Sequence, residues 1–223
     1  MTLVTVPSPG AGDAGPVLGA LLSVFAPPLC VACGDDAGRA APLCRACRAE
    51  LARTACATPV DGALGVWAPF RYDGPAGAVV RALKFGGRRG LADVMAAQLA
   101  AHAPPELLAG ALVPVPLPRS RRRRRGFNQS ALLARALGRR GGLPVVDCLT
   151  RSGDPAPQVG RGRRERMAAP AGSFAVSGPP PERALLVDDV VTTGSTLRAC
   201  AQALRDAGCG PVWALAYART PAR

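Results

Sequence analysis

Leu185-Leu186-Val187-Asp188-Asp189-Val190-Val191-Thr192-Thr193-Gly194-Ser195-Thr196 is the stretch on which the reading of this chain turns. An apolar run delivers two adjacent carboxylates, then small hydroxyl residues around a glycine, then a helical pattern. A buried parallel strand reads as a continuous apolar run, and open α/β sheets bind ligands at the carboxyl ends of such strands. Gly194 permits backbone conformations closed to other residues. The amides and hydroxyls of Thr192, Thr193, Ser195 and Thr196 then fall at a helix N-terminus, where phosphate is favoured. Adjacent carboxylates can accept hydrogen bonds from vicinal sugar hydroxyls. A P-loop is excluded, because no Gly-Lys-Ser/Thr follows the glycine.

Outward from this stretch the chain alternates between two periods. Ala184 to Val187 is predicted as a strand, Ser195 to Ala207 as a helix closed by Gly208, and Val212 to Tyr217 as a final strand. Upstream, Val145-Val146 and Ala111 to Val115 are strand-like, and Ser130 to Arg140 carries Leu132, Leu133 and Leu137 at core spacing before Gly141-Gly142. Leu91 to His102 and Ala76 to Phe85 read as helices, and Leu64 to Tyr72, with Val66, Trp67, Phe70 and Tyr72, as a strand whose three aromatics are expected in the core. Strands separated by helices imply an α/β fold with a parallel sheet covered on both faces. Pro59-Val60-Asp61-Gly62 reads as a turn and boundary, which divides the chain into 1–60 and 61–223. Ser152 to Pro170 is expected to be an irregular loop.

The segment 185–196 closely resembles the phosphoribosyl pyrophosphate motif of type I phosphoribosyltransferases. The resemblance implies that Asp188 and Asp189 face the ribose hydroxyls and that Thr192 to Thr196 hold the 5′-phosphate, with Val190 inside the motif. Mg²⁺ carried on substrate oxygens is the expected helper, since it keeps waters and needs no full protein cage. Val113-Pro114-Val115-Pro116, opening onto Arg119, is the weaker match to a pyrophosphate partner. Where the hypoxanthine branch of that superfamily has a basic aspartate, this chain has Thr192, so no general base is named.

Composition adds charge. The chain has 223 residues with 28 Lys or Arg against 15 Asp or Glu, a formal net charge of +13, and Lys84 is its only lysine. Residues 119–166 hold fourteen arginines against Asp147, Asp154 and Glu165, so eleven of the thirteen charges lie there. Arg119, Arg121, Arg122, Arg123, Arg124 and Arg125 crowd into seven positions. Such a run can be a solvated, self-repelling face. Its density favours anion binding, either of pyrophosphate or of a single-stranded DNA backbone, with Lys84 as a further cation. Base stacking has little support, because Phe127 is the only aromatic beside the run.

Cysteines add a second chemistry. Cys30-x2-Cys33, ten residues, then Cys44-x2-Cys47 offers two thiolate pairs that can close a tetrahedral S4 site. A structural zinc is favoured over a redox CxxC, which belongs beside a βαβ pattern. Cys56, Cys148, Cys200 and Cys209 read as small core residues. Pro16 to Phe25 is expected to be a short docking helix. The stretch from Val17 to Leu29 is too short and too broken by prolines to span a membrane, and no basic residue precedes Arg39, as a secretory signal would require. The expected compartment is the cytoplasm, where spaced cysteines suggest metal.

The double CxxC, Leu83-Lys84-Phe85, Arg125-Gly126-Phe127-Asn128-Gln129 and the motif at 188–196, in this order, resemble the ComF family of competence-associated phosphoribosyltransferase-like proteins. That resemblance implies a role in DNA uptake during natural transformation, with competence proteins as partners. The chain departs from the family in one place. The loop matching Gln158 to Phe174 keeps Gln158 and Arg166, but has Ala168 and Ala169 where an Asn is expected. Besides a competence-type phosphoribosyl-binding protein, a base-salvage phosphoribosyltransferase and a non-catalytic nucleotide sensor or DNA adaptor fit the same residues.

Overall fold

A computed structural model describes residues 29–38, 41–53, 59–61, 65–151 and 173–220. The expected docking helix Pro16 to Phe25, the loop Ser152 to Pro170 and Cys56 lie outside them. Eight strands and six α-helices occupy the described residues. The strands are β1 (Pro59–Asp61), β2 (Val66–Trp67), β3 (Phe70–Arg71), β4 (Ala111–Pro114), β5 (Leu149–Arg151), β6 (Phe174–Val176), β7 (Ala184–Val191) and β8 (Val212–Arg219). The helices are α1 (Arg45–Arg53), α2 (Gly74–Phe85), α3 (Leu91–His102), α4 (Arg119–Arg125), α5 (Gln129–Gly141) and α6 (Ser195–Asp206).

The main sheet runs β1-β2-β8-β7-β4, with β3 also pairing with β8. The β4–β7, β7–β8, β2–β8 and β3–β8 pairs are parallel, and only β1–β2 is antiparallel. The chain is therefore a mixed α/β protein built on a parallel sheet. β7 lies between β4 and β8, and Ala184, Leu185, Leu186 and Val187 are 0–1 % exposed. A strand flanked by neighbours and covered on both faces loses all its side chains from water, which is why its first half is apolar throughout.

Two apolar layers cover the sheet. On one face α2, α3 and α5 pack over Leu185, Val187, Leu215 and Tyr217. On the other, α6 presents Leu197, Cys200, Ala201 and Leu204 at positions i, i+3, i+4 and i+7, and the β5–β6 hairpin joins it through Leu149 and Phe174. This spacing gives a helix one apolar stripe, and burying each Leu contributes about 1.5–3 kcal/mol. Cys148, Cys200 and Cys209 are buried in this second layer, as expected.

Three local readings change. The predicted strand from Leu64 to Tyr72 is two short strands interrupted at Ala68-Pro69, both hydrogen-bonded to β8; Pro69 has no N–H for a ladder. Pro59–Asp61, predicted as a turn, is a strand. Val145 contributes only an isolated bridge to Leu112. The cysteine segment also lacks a separate core: Cys30, Leu43, Cys44, Cys47 and Leu51 join the cluster that holds Phe70, Val79 and Leu83.

Candidate phosphoribosyl site and its flanking clusters

Beyond Val187 the strand β7 changes character, and the two acids part company. Asp189 is buried, 3 % exposed, and its Oδ2 is ion-paired with the Lys84 ammonium at the end of α2. Gln129 Nε2 donates to Asp189 Oδ1 at 3.3 Å, and Gln129 Oε1 accepts from Arg125 at 2.7 Å. Lys84 also stands over the Tyr72 ring, 5.9 Å from its centroid. Asp188 is half-buried. Its Oδ1 accepts from Ser130 Oγ at 2.8 Å and from the Asp189 amide at 2.8 Å. Burial, then the charge of Asp189, pushes the Asp188 carboxyl up to about 7, although the Ser130 hydroxyl and the Asp189 amide oppose the shift.

Local sequence explains this arrangement. Asn128 caps α5 by accepting from the Ser130 amide at 3.1 Å, and its side-chain NH₂ donates to the Val115 carbonyl at 3.0 Å. Such a cap satisfies one orphan amide and here ties the helix start to the end of β4. Gln129 and Ser130 are thereby aimed at the two carboxylates. Both are buried polar residues, 5 % and 1 % exposed, and neither was assigned a role from sequence. The only signal was their place in and just after the Arg125–Gln129 signature.

The loop after β7 is open. Thr192 and Thr193 are exposed, Ser195 and Thr196 half-buried, and Gly194 starts α6 at φ +73°. Thr193 Oγ1 donates to Ser195 Oγ at 3.0 Å, and Arg198 donates to the Thr193 carbonyl at 2.8 Å. Val190 is half-buried beside the first apolar layer. Exposed hydroxyls at a helix start, in the loop that follows a half-buried carboxylate, can hold a phosphate and a diol together.

The arginine run is a helix. α4 is Arg-Ser-Arg-Arg-Arg-Arg-Arg, begins after Pro118 and ends at Gly126 with φ +77°. None of its residues is buried. Arg125 is half-buried, stacks on Phe85 at 5.3 Å and bonds Gln129. Desolvation draws its pKa down, Asp189 opposes this, and Arg121 and Arg124 add to the lowering. Phe85 is 70 % exposed, so the run has an aromatic neighbour that the sequence did not disclose. Arg119 and Arg122 instead line a separate cleft.

At the amino-terminal end the four sulfurs of Cys30, Cys33, Cys44 and Cys47 lie within 4.8 Å of one another. Tetrahedral Zn–S bonds of about 2.3 Å require sulfurs about 3.8 Å apart, and Cys33 Sγ stands 3.7 Å from Cys44 Sγ. The Cys47 amide donates to Cys44 Sγ at 3.5 Å, as thiolate ligands accept from the backbone in such turns. The donor set fits a zinc ion, and this four-cysteine cluster could hold one. Burial raises the Cys30 thiol, but backbone donors from Cys33, Cys44 and Ala32 outweigh it and leave it at about 6.

No protein-family model matches the chain. One curated relative does: 118 residues, half of this chain, are 36 % identical to Competence protein F of Haemophilus influenzae. That half of the chain is similar to Competence protein F. The match spans about half the length of that relative, 52 %. Among solved structures, the allosteric regulatory enzyme of purine biosynthesis aligns with 56 % of this chain and 25 % of its own, at 17 % identity and a TM-score of 0.37. That overlap is slight. No helix of the described residues is long and apolar enough to cross a membrane.

Proposed function

We propose that this protein is a ComF-like phosphoribosyltransferase homologue that binds phosphoribosyl pyrophosphate, or a related nucleotide, at the end of β7. It acts in the cytoplasm in DNA uptake, together with other competence proteins. The observation that carries this reading is the half-buried carboxylate of Asp188, set one loop before exposed Thr192 and Thr193 and the start of α6. Asp188 accepts the ribose hydroxyls, and Thr192, Thr193, Ser195 and Thr196 with the amide of Gly194 take the 5′-phosphate. Asp189 holds Lys84 and Gln129 in place rather than touching the sugar. Mg²⁺ comes with the ligand's phosphate oxygens. Residues 1–60 form the zinc-binding segment and 61–223 the ligand-binding domain, with Cys30, Cys33, Cys44 and Cys47 as a closed structural set.

Titration with phosphoribosyl pyrophosphate and Mg²⁺, followed for binding and for pyrophosphate release against a panel of free bases, tests this. Binding that Asp188→Asn weakens at least tenfold is the expected result. Release with one base would make the protein a salvage enzyme, and saturable binding without release a nucleotide sensor. No binding at millimolar ligand would remove the proposal. Metal analysis tests the zinc: one equivalent is expected, and none in the Cys30→Ser, Cys44→Ser double variant.

A second reading concerns the outer face of α4. Arg121, Arg123 and Arg124 are exposed, and exposed Phe85 stands beside Arg125. This suits a single-stranded DNA backbone with one stacking platform, and the affinity should fall steeply with salt.

A further inference from the structure

The start of α6 is charged against the electrostatics of its own backbone. The amino end of a helix carries partial positive charge, so acids are favoured in its first turn and cations in its last. No acid stands in the first turn of α6, Gly194 at its cap brings no side chain, and the charged residue nearest its start is Arg198. Arg198 is exposed, yet it reaches back toward the loop, as long side chains on a helix do. Its Nη2 donates to the Thr193 carbonyl at 2.8 Å. Thr193 is tied at its other end as well: its Oγ1 donates to Ser195 Oγ at 3.0 Å and accepts from the Ser195 amide at 3.4 Å. Both ends of Thr193 are thus held by the first residues of α6. A guanidinium fixed beside helix-start amides adds a full positive charge to their partial one. Its planar fork of N–H donors matches phosphate oxygens, and a neutral sugar hydroxyl gains far less from the pairing.

We infer that Arg198 is a binding residue for the ligand's 5′-phosphate, and that its charge makes this loop select a sugar phosphorylated at the 5′ position. This role rests on the phosphoribosyl reading of the loop. It adds a side-chain cation from outside the 188–196 segment to a subsite otherwise made of amides and hydroxyls. The cation that is misplaced for the bare helix is well placed once a dianion joins it, because the phosphate then faces both the helix start and the guanidinium.

The test is calorimetric titration of the full chain with phosphoribosyl pyrophosphate and Mg²⁺, with ribose 5-phosphate and ribose 1-phosphate as competitors. The two monophosphates are isomers of equal charge, so a change in the protein's net charge alone affects both alike. Arg198→Gln is expected to weaken phosphoribosyl pyrophosphate and ribose 5-phosphate about tenfold or more, as loss of a charged hydrogen-bond donor does. Ribose 1-phosphate should stay within about twofold, and Arg198→Lys, which keeps the charge, should recover most of the loss. Thermal melts of Arg198→Gln should show no fall in Tm, because the variant removes a cation from the positive end of a helix. Equal losses for the two isomers would make Arg198 a holder of Thr193 and overturn its role at the phosphate. Full affinity in Arg198→Gln alongside weakened binding in Asp188→Asn would also overturn it, and would leave the phosphoribosyl reading standing. No binding of phosphoribosyl pyrophosphate by the wild type at millimolar concentration would remove that reading, and the role of Arg198 with it.

Discussion

Asp189 on β7 and Arg122 on α4 are held in opposite ways. Asp189 is buried, and its oxygens meet Lys84 and Gln129. Arg122 is exposed and lines a cleft in which Asp147 is the single carboxylate among the described residues. A charge that the fold itself neutralises is structure first, because removing one partner strands the other in a low-dielectric setting. A charge left to solvent costs the fold little. The acid edge of β7 is thus organised by the fold itself, whereas Arg119 and Arg121 to Arg124 of α4 are left exposed.

The most damaging way to test this contrast is Lys84→Met. It leaves Asp189 buried without its ammonium, which should cost about 3–5 kcal/mol and lower Tm by about 10 °C for a chain of this size. Lys84→Met with Asp189→Leu should recover most of the loss, because it removes both charges. Arg122→Glu should stay within about 0.5 kcal/mol of wild type. Thermal melts of the four proteins decide it, and equal losses from Lys84→Met and Arg122→Glu would erase the distinction.

Asp188 sharpens the comparison, since it is half-buried and titrates near neutrality. Its folded pKa of about 7 lies above the ordinary value of about 4. The sign follows: the native state binds the extra proton, so this group's contribution to stability is complete below about pH 4 and is lost as pH rises through about 7. In the proposed site ligand binding would run the other way, because the carboxylate would accept from ribose hydroxyls. Affinity for phosphoribosyl pyrophosphate should fall up to tenfold per pH unit below 7, and Asp188→Asn should remove that dependence. Ser130→Ala, which deletes a hydroxyl donor to the carboxylate, should move the midpoint upward. A flat profile from pH 5 to 8 in the wild type would show that Asp188 does not meet the ligand.

How far these differences were legible in sequence follows from locality. The strand–acid–glycine–helix order at 184–206 is written in consecutive residues, so the start of β7 and the whole of α6 were readable almost to the residue. β7 nevertheless runs to Val191, four residues past the predicted Val187, and carries both acids within it. The double CxxC was equally readable, because its ligands are spaced by short turns. What could not be read were meetings across the chain: Gln129 with Asp189 sixty residues away, Ser130 with Asp188 fifty-eight away, and Phe85 with Arg125. The paired acids looked equivalent in sequence, yet strand alternation and the approach of α2 buried one and left the other half-open. The arginine run also concealed its two faces, which exist only once seven residues coil into α4 and put Arg119 and Arg122 on one side.

A smaller effect tests the outer face of α4. If Arg121 and Arg124 meet phosphates of a single strand, each contributes about 0.7 to the slope of log affinity against log salt. Arg121→Gln with Arg124→Gln should then lower that slope by about 1.4 while leaving the melt unchanged, measured by fluorescence anisotropy of a labelled oligonucleotide from 50 to 200 mM salt. An unchanged slope would mean that these arginines are only solvated.

The smallest effect belongs to a charge pair that resembles neither cluster. Arg139 donates to Asp93 at 2.7 Å between α5 and α3, but both side chains remain more than half exposed. Water screens such a pair, and holding two long side chains in one geometry offsets most of its Coulomb gain. Asp93→Asn should cost less than about 0.5 kcal/mol, and raising the salt should reduce even that. The contrast with Lys84–Asp189 is the useful part: distance alone would rank the two pairs as similar, and burial separates them by several kcal/mol. If Asp93→Asn proved as costly as Lys84→Met, burial would not be what distinguishes charges that hold this fold from charges left to solvent.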